Sequence, residues 1–307
     1  RAADKQFPQL TPCHQSCYIL FNTMKRAIQA AGLLVLLSIC TGCVVSIGSR
    51  NQPSPPPPAV VVPAAPQVDA PVVAPAVTNP PAAVEPRANP AIIPVSRTGG
   101  STNRQSQVLQ RAKDNPGPCD IAFIGDYITQ GWEGNGKSVW TNYYGNRKCL
   151  NFGVGGDRTE HVLWRFENGQ LDGIKPKAAV LMIGTNNSNK NRDGSEQYSE
   201  AEILAGVQAI IQQLRARLPE TKVLVVGIFP RAKTFSSQRG KILQINQALA
   251  KVADGNMIHY IDFGSQLIEA DGSISKEVMP DYLHLSAKGY EIWAQAIEPK
   301  LKELLGE

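Results

Sequence analysis

From residue 106 to residue 307, short apolar runs alternate with longer stretches in which apolar positions recur every three or four residues. The runs are Ile121–Ile124, Leu150–Gly153, Ala178–Ile183, Val223–Ile228 and Ile258–Ile261. They are short, rich in β-branched and aromatic residues, and apolar on both faces, as strands buried in a parallel sheet are. Between them, Glu160–Phe166, Ala201–Leu218 and Arg239–Val252 carry helical spacing, with Leu204, Val207, Ile210, Ile211 and Leu214 marking one stripe. Ala287–Leu305 is a further amphipathic helix, and Pro176, Pro219 and Gly255 punctuate the boundaries. Strands alternating with helices predict an α/β protein, a three-layer α/β/α sandwich around a parallel sheet with right-handed crossovers.

Composition changes the domain count. A chain of 307 residues would suggest two domains. Residues 52–94, however, hold 14 of the 23 prolines, interleaved with Ala and Val. Such a stretch forms neither ladder nor helix. The expectation is one folded domain, 106–307, behind a disordered Pro/Ala/Val-rich linker over 44–105. Charge divides at the same border: residues 1–105 carry eight Lys/Arg against three Asp/Glu, and residues 106–307 carry 23 against 23. A nucleic-acid partner calls for a basic face on the folded part, and the neutral domain total argues against one.

Upstream, Met24-Lys25-Arg26, the apolar Ala27–Ile39 and the small-residue end at Cys40-Thr41-Gly42-Cys43 read as a signal peptide over 24–43. The apolar core is too short for a span of ~20 residues. Its end resembles a bacterial lipoprotein box with Cys43 as the lipid anchor, although Cys40 stands where that pattern prefers Leu. The expectation is export, with the domain periplasmic or extracellular and tethered to the membrane. Residues 1–23 precede Met24 and read as an over-extended gene model. That removes the weight from the Cys13, His14, Cys17 spacing as a metal site. Cys119 and Cys149 open two predicted strands and are read as buried thiols, with pairing left open.

Ligands of such folds bind beyond the carboxyl ends of the strands, and there the polar chemistry gathers. Successive strands run into Gly125-Asp126-Tyr127, Gly153-Val154-Gly155-Gly156-Asp157-Arg158 and Gly184-Thr185-Asn186-Asn187, then Phe229-Pro230-Arg231. Asp281-Tyr282-Leu283-His284 precedes the last helix. Acyl transfer needs an imidazole base oriented by a carboxylate, which Asp281 and His284 supply. It also needs preorganised donors for an oxyanion, and Gly156 and Asn186 supply those. The glycine run is not a dinucleotide loop, since Arg158 holds its sixth place and it follows the second strand, not the first. No cofactor is expected.

On these residues the chain resembles the SGNH, or GDSL-type, hydrolases. More narrowly it is similar to the catalytic subunits of intracellular platelet-activating factor acetylhydrolase. The resemblance is dense in "LNFGVGGDRTEHVLWRFENGQLDGIKPK", "IGTNN" and "DYLHLSAKGY". It implies a flavodoxin-like sheet and metal-free hydrolysis of short acyl esters, typically acetyl, of a lipid or a carbohydrate. It also implies Gly156 and the backbone beside Gly125 as oxyanion donors, Asn186 as side-chain donor, Asp281 as orienter and His284 as base. Asp126, Arg158 and Arg231 are candidates for contacts to the substrate. Self-association into a homodimer stays open.

One residue departs from the pattern: Tyr127 stands where the family places its nucleophilic serine. A phenol oxygen lies a ring's length farther from the backbone and overshoots both the imidazole and the ester carbonyl. Loss of the nucleophile from such a triad costs on the order of 10⁶ in turnover and leaves on the order of 10³ over water. Thr129 and Ser138 are the nearby alternative hydroxyls. Serine and tyrosine codons can differ by one base, so a single change produces this pattern. A non-catalytic binding lipoprotein of the same fold is the alternative. Structural roles are expected for His161, for His259 in the core and for Trp132, Trp140 and Trp164, with Trp132 also a candidate for the cleft wall.

Overall fold

The computed structural model describes residues 87–307. The residues read as a signal peptide, Cys43 and the expected linker up to residue 86 lie outside the described residues. Five strands, β1 (Gly117–Gly125), β2 (Cys149–Gly153), β3 (Ile174–Met182), β4 (Lys222–Val226) and β5 (Ile258–Ile261), form one sheet in the order β2-β1-β3-β4-β5. Every pairing is parallel, with Ile121 opposite Cys149 and Ala178, and Val223 opposite Ala179 and Ile258.

Strand alternation sends Ala122 and Ile124 into one core and Ile121 and Phe123 into another. Against the first pack α1 (Thr102–Asp114), α4 (Thr159–Glu167), α5 (Glu200–Arg217) and α6 (Ser237–Leu249). Against the second pack α2 (Tyr127–Gln130), α3 (Lys137–Tyr144) and α7 (Ala287–Leu305). This is the expected three-layer α/β/α sandwich with a flavodoxin-like strand order. Trp132 sits in that second core, with ring centroids 4.6 Å from Tyr290 and 5.0 Å from Trp293, so it packs the interior and does not wall a cleft. His259 lies half-exposed on the edge strand, its Nε2 2.9 Å from Asn256 O, and is not a core residue. Cys119 and Cys149 are free, and the sheet separates them into opposite cores.

The domain begins upstream of residue 106. Residues 87–105, expected as the end of the linker, pack onto the fold. Asn89 caps the turn Pro90–Ile92 by accepting from Ala91 N at 2.9 Å. Ala91 is fully buried, and its carbonyl accepts from Thr159 Oγ1 at 2.8 Å. Val95 N donates to Glu160 O at 3.1 Å, and Thr102 opens α1, whose Val108 and Ala112 enter the core. After Pro94 the sequence carries no proline up to residue 115, and apolar residues at helical spacing form α1 there.

Candidate active site

The strand order reverses its winding between β1 and β3, and the crevice beyond their carboxyl ends is where such sheets bind ligands. A cavity of about 400 Å³ opens there, walled by Tyr127, Gly155, Gly156, Asn186 and His284, with Asp126 at its base. Gly125 lets α2 start directly on β1: a Cβ there would stand 2.1 Å from Thr129 Oγ1 and 2.3 Å from Met182 O. Asp126 caps α2 by accepting from Ile128 N at 2.9 Å. Tyr290 Oη donates to Ile128 O at 2.6 Å and fixes that turn from the far helix. Tyr127, first residue of α2, is therefore held at the pocket mouth and is 49% exposed.

Asp281 and His284 meet as their spacing predicts. Asp281 Oδ2 lies 2.6 Å from His284 Nδ1, and Oδ1 accepts from His284 N at 2.7 Å and Leu283 N at 3.1 Å. Partial burial favours the neutral acid at Asp281, but these His284 contacts outweigh it and hold the carboxyl below the ordinary range. Tyr282 takes φ +63° to make this loop, a left-handed conformation outside the usual range of an aromatic residue. The Tyr127 and His284 rings meet edge to face, with centroids 4.7 Å apart and planes at 69°. The phenol ring thus fills the space through which a serine oxygen would reach the imidazole.

Gly156 adopts φ +74°, and its N–H, like that of Tyr127, has no hydrogen-bond partner among the described residues. Asn186 faces the same cavity, but its amide is engaged, donating to Asp157 O at 2.9 Å and to Asp126 Oδ2 at 3.2 Å. Burial pushes the Asp126 carboxyl up to about 7, against the opposing pull of the Ile128 N–H and of the His284 and Arg231 charges.

Two sequence candidates are placed elsewhere. Arg158 turns away from the cavity, pairs with Glu160 at 2.5 Å and stacks over Tyr198. Arg231 lies behind the wall, donating to Thr185 O at 3.1 Å and Asn189 Oδ1 at 2.9 Å. Neither lines the cavity. Asp126 touches it only from beneath, as cap and as partner of Asn186. Thr129 is buried against Gly125, and Ser138 is exposed on α3 away from the cavity, so neither replaces a nucleophile. His161 is structural: its Nδ1 accepts from Arg158 N at 3.0 Å, and burial lowers it to about 4.

The residues missed from sequence are Arg97 and Ser101, which line the cavity from the segment assigned to the linker. Arg97 Nη1 donates to Gly156 O at 3.1 Å, and Ser101 Oγ donates to Gly155 O at 2.9 Å. The available signal was the end of the prolines at Pro94 and the helical spacing of Val108 and Ala112.

A family model for GDSL-like lipase/acylhydrolase proteins matches residues 123–292, more than half of the chain. The chain belongs to that family. It is 35% identical over 189 residues to human platelet-activating factor acetylhydrolase IB subunit alpha1, covering 61% of this chain and 78% of that relative. Rat subunit alpha2 is 34% identical over 192 residues, with the same coverage. A solved GDSL-like lipase from Bacteroides thetaiotaomicron superposes with a TM-score of 0.53 at 18% identity, covering 65% of this chain and 97% of that one, a likeness of fold.

Proposed function

We propose that this GDSL-family domain binds short acyl esters, acetyl esters first, in a hydrolytic site whose nucleophile position is blocked by Tyr127. The observation that carries the reading is the 4.7 Å edge contact of Tyr127 with a His284 that still has its Asp281 partner. With serine at 127, His284 Nε2 takes the hydroxyl proton as the oxygen bonds to the ester carbonyl carbon. Asp281 keeps the ring in the tautomer this requires. The Gly156 and residue-127 N–H groups receive the oxyanion, and Asn186 joins them by exchanging its longer bond to Asp126. The alcohol leaves with the proton from His284, and water releases the acid by the same steps.

The chain as it stands lacks the attacking oxygen, which supports a binding role. The leader read at Met24–Cys43 supports placing this site outside the cytoplasm on a lipid anchor. Release of 4-nitrophenol from its acetate tests the reading. The parent chain is expected to stay within about 10³ of the water rate, and Tyr127→Ser to gain on the order of 10³ or more. His284→Ala in the Tyr127→Ser background should remove that gain. Parent activity that His284→Ala abolishes would refute the blocked-site reading.

A further inference from the structure

Residues 87–101 cross the glycine loop as a strap and set a cation on the cavity wall. Arg97 is the one permanently charged cation among the residues lining the cavity. Its guanidinium has five N–H donors. One on Nη1 goes to Gly156 O at 3.1 Å, and one on Nη2 goes to Ser101 Oγ at 3.1 Å. The side chain remains 20% exposed, and one N–H on each of Nη1 and Nη2 has no partner among the described residues. The nearest carboxylate, Asp157, lies 3.7 Å from Arg97 Nε and is already the ion-pair partner of the buried Arg165. Two guanidinium groups therefore share one carboxylate behind the loop. Arg158 adds nothing to this excess, because Glu160 matches it. On the opposite wall Asp281 is taken by His284. Among the residues lining the cavity Asp126 is the one carboxylate, and Arg97 sets its positive charge beside Gly156, next to where an ester would lie. Arg97 also falls outside the residues that the family model matches, so the strap adds this charge to the matched part of the domain.

We infer that Arg97 selects acyl esters bearing an oxyanionic group, phosphate or carboxylate, close to the ester. The inference rests on the ester-binding reading above and names its substrate class. A planar guanidinium suits such groups through paired N–H donors, and partial burial strengthens the contact.

Three probes test it by calorimetry on the full chain: 4-acetoxybenzoate, 4-acetoxyphenyl phosphate and the neutral methyl ester of the first. At least one anionic probe is expected to bind tenfold or more tightly than the neutral one, and the better anion identifies the group recognised. Arg97→Gln should reduce that preference to about one, and Arg97→Lys should keep part of it. In the Tyr127→Ser background, the anionic-to-neutral ratio of kcat/KM should fall in parallel. The ratio cancels any general loss from the broken Gly156 contact. Equal binding of neutral and anionic probes by the parent chain overturns the inference without any variant. So does binding of none of the three, or a preference that survives Arg97→Gln. If Tyr127→Ser is inactive while the binding preference depends on Arg97, the hydrolytic reading fails and this one stands.

Discussion

On one side of the cavity Asp281 and His284 stand on a loop, their side chains 55% and 36% exposed, joined by a 2.6 Å contact. On the other side the glycine loop is backed by Asp157 and Arg165, an ion pair with no exposed side-chain surface. Both walls carry an ionic pair, yet the pairs do different things. The first is wet and local, so its strength is screened and its contribution to folding small. Its use is to aim one imidazole. The second is dry and ties the loop after β2 to α4, and either partner left alone would be a buried charge. It holds the loop that presents the Gly156 N–H and the Asp157 carbonyl to which Asn186 donates. Reactivity sits on the side that is cheap to change, and geometry on the side that is not.

Removing one member of the buried pair is the strongest way to break that contrast. Asp157→Ala leaves Arg165, which burial and the Arg104 and Arg97 charges already lower to about 9, without its carboxylate. Urea unfolding should show a loss of about 3–5 kcal/mol. A loss below about 1 kcal/mol would mean that the pair does not hold the loop.

Asp126, between the walls, gives an intermediate effect with a defined sign. Its folded-state pKa of about 7 lies above the unfolded value of 3.8. Between those values the folded state binds more protons, so stability falls as pH rises and the cost is complete above pH 7. Asp126→Asn removes this term. Its stability relative to the parent should rise by about 4 kcal/mol from pH 4 to pH 8, on the order set by the shift. Thermal unfolding of both proteins across that range checks it, and parallel curves would place the Asp126 pKa near its ordinary value.

The smallest stability change is expected on the exposed wall. Asp281→Ala should cost under about 1 kcal/mol in the same unfolding measurement. In the Tyr127→Ser background it should nevertheless remove most of the hydrolysis gained. A large stability loss there would erase the distinction between the walls.

Much of this arrangement was legible along the chain. The five apolar runs became the five strands because burial on both sheet faces writes itself as continuous apolar residues. Asp281 and His284 met because three residues of separation fix their proximity whatever the rest of the chain does. Gly156 and Asn186 reached the rim for a similar reason, since each lies a few residues beyond a strand end. What failed was the reading of side chains whose direction depends on which of several neighbours they meet. Arg158 follows the glycine loop directly, as a substrate contact would, yet Glu160 and Tyr198 draw it aside. Arg97 stands just past the last proline of that stretch, where the sequence signals a helix but no site.

The sequence by itself determined the α/β class, the family and the residues at the ends of the strands. Each of these is written in local spacing and in short motifs. Only the tertiary structure decided that Tyr127 meets His284, that residues 87–101 wall the cavity and that Arg97, not Arg158 or Arg231, supplies its cation. Those outcomes depend on contacts between residues tens to more than a hundred and fifty positions apart. Such contacts follow from sheet order and packing and leave no periodic trace in the chain.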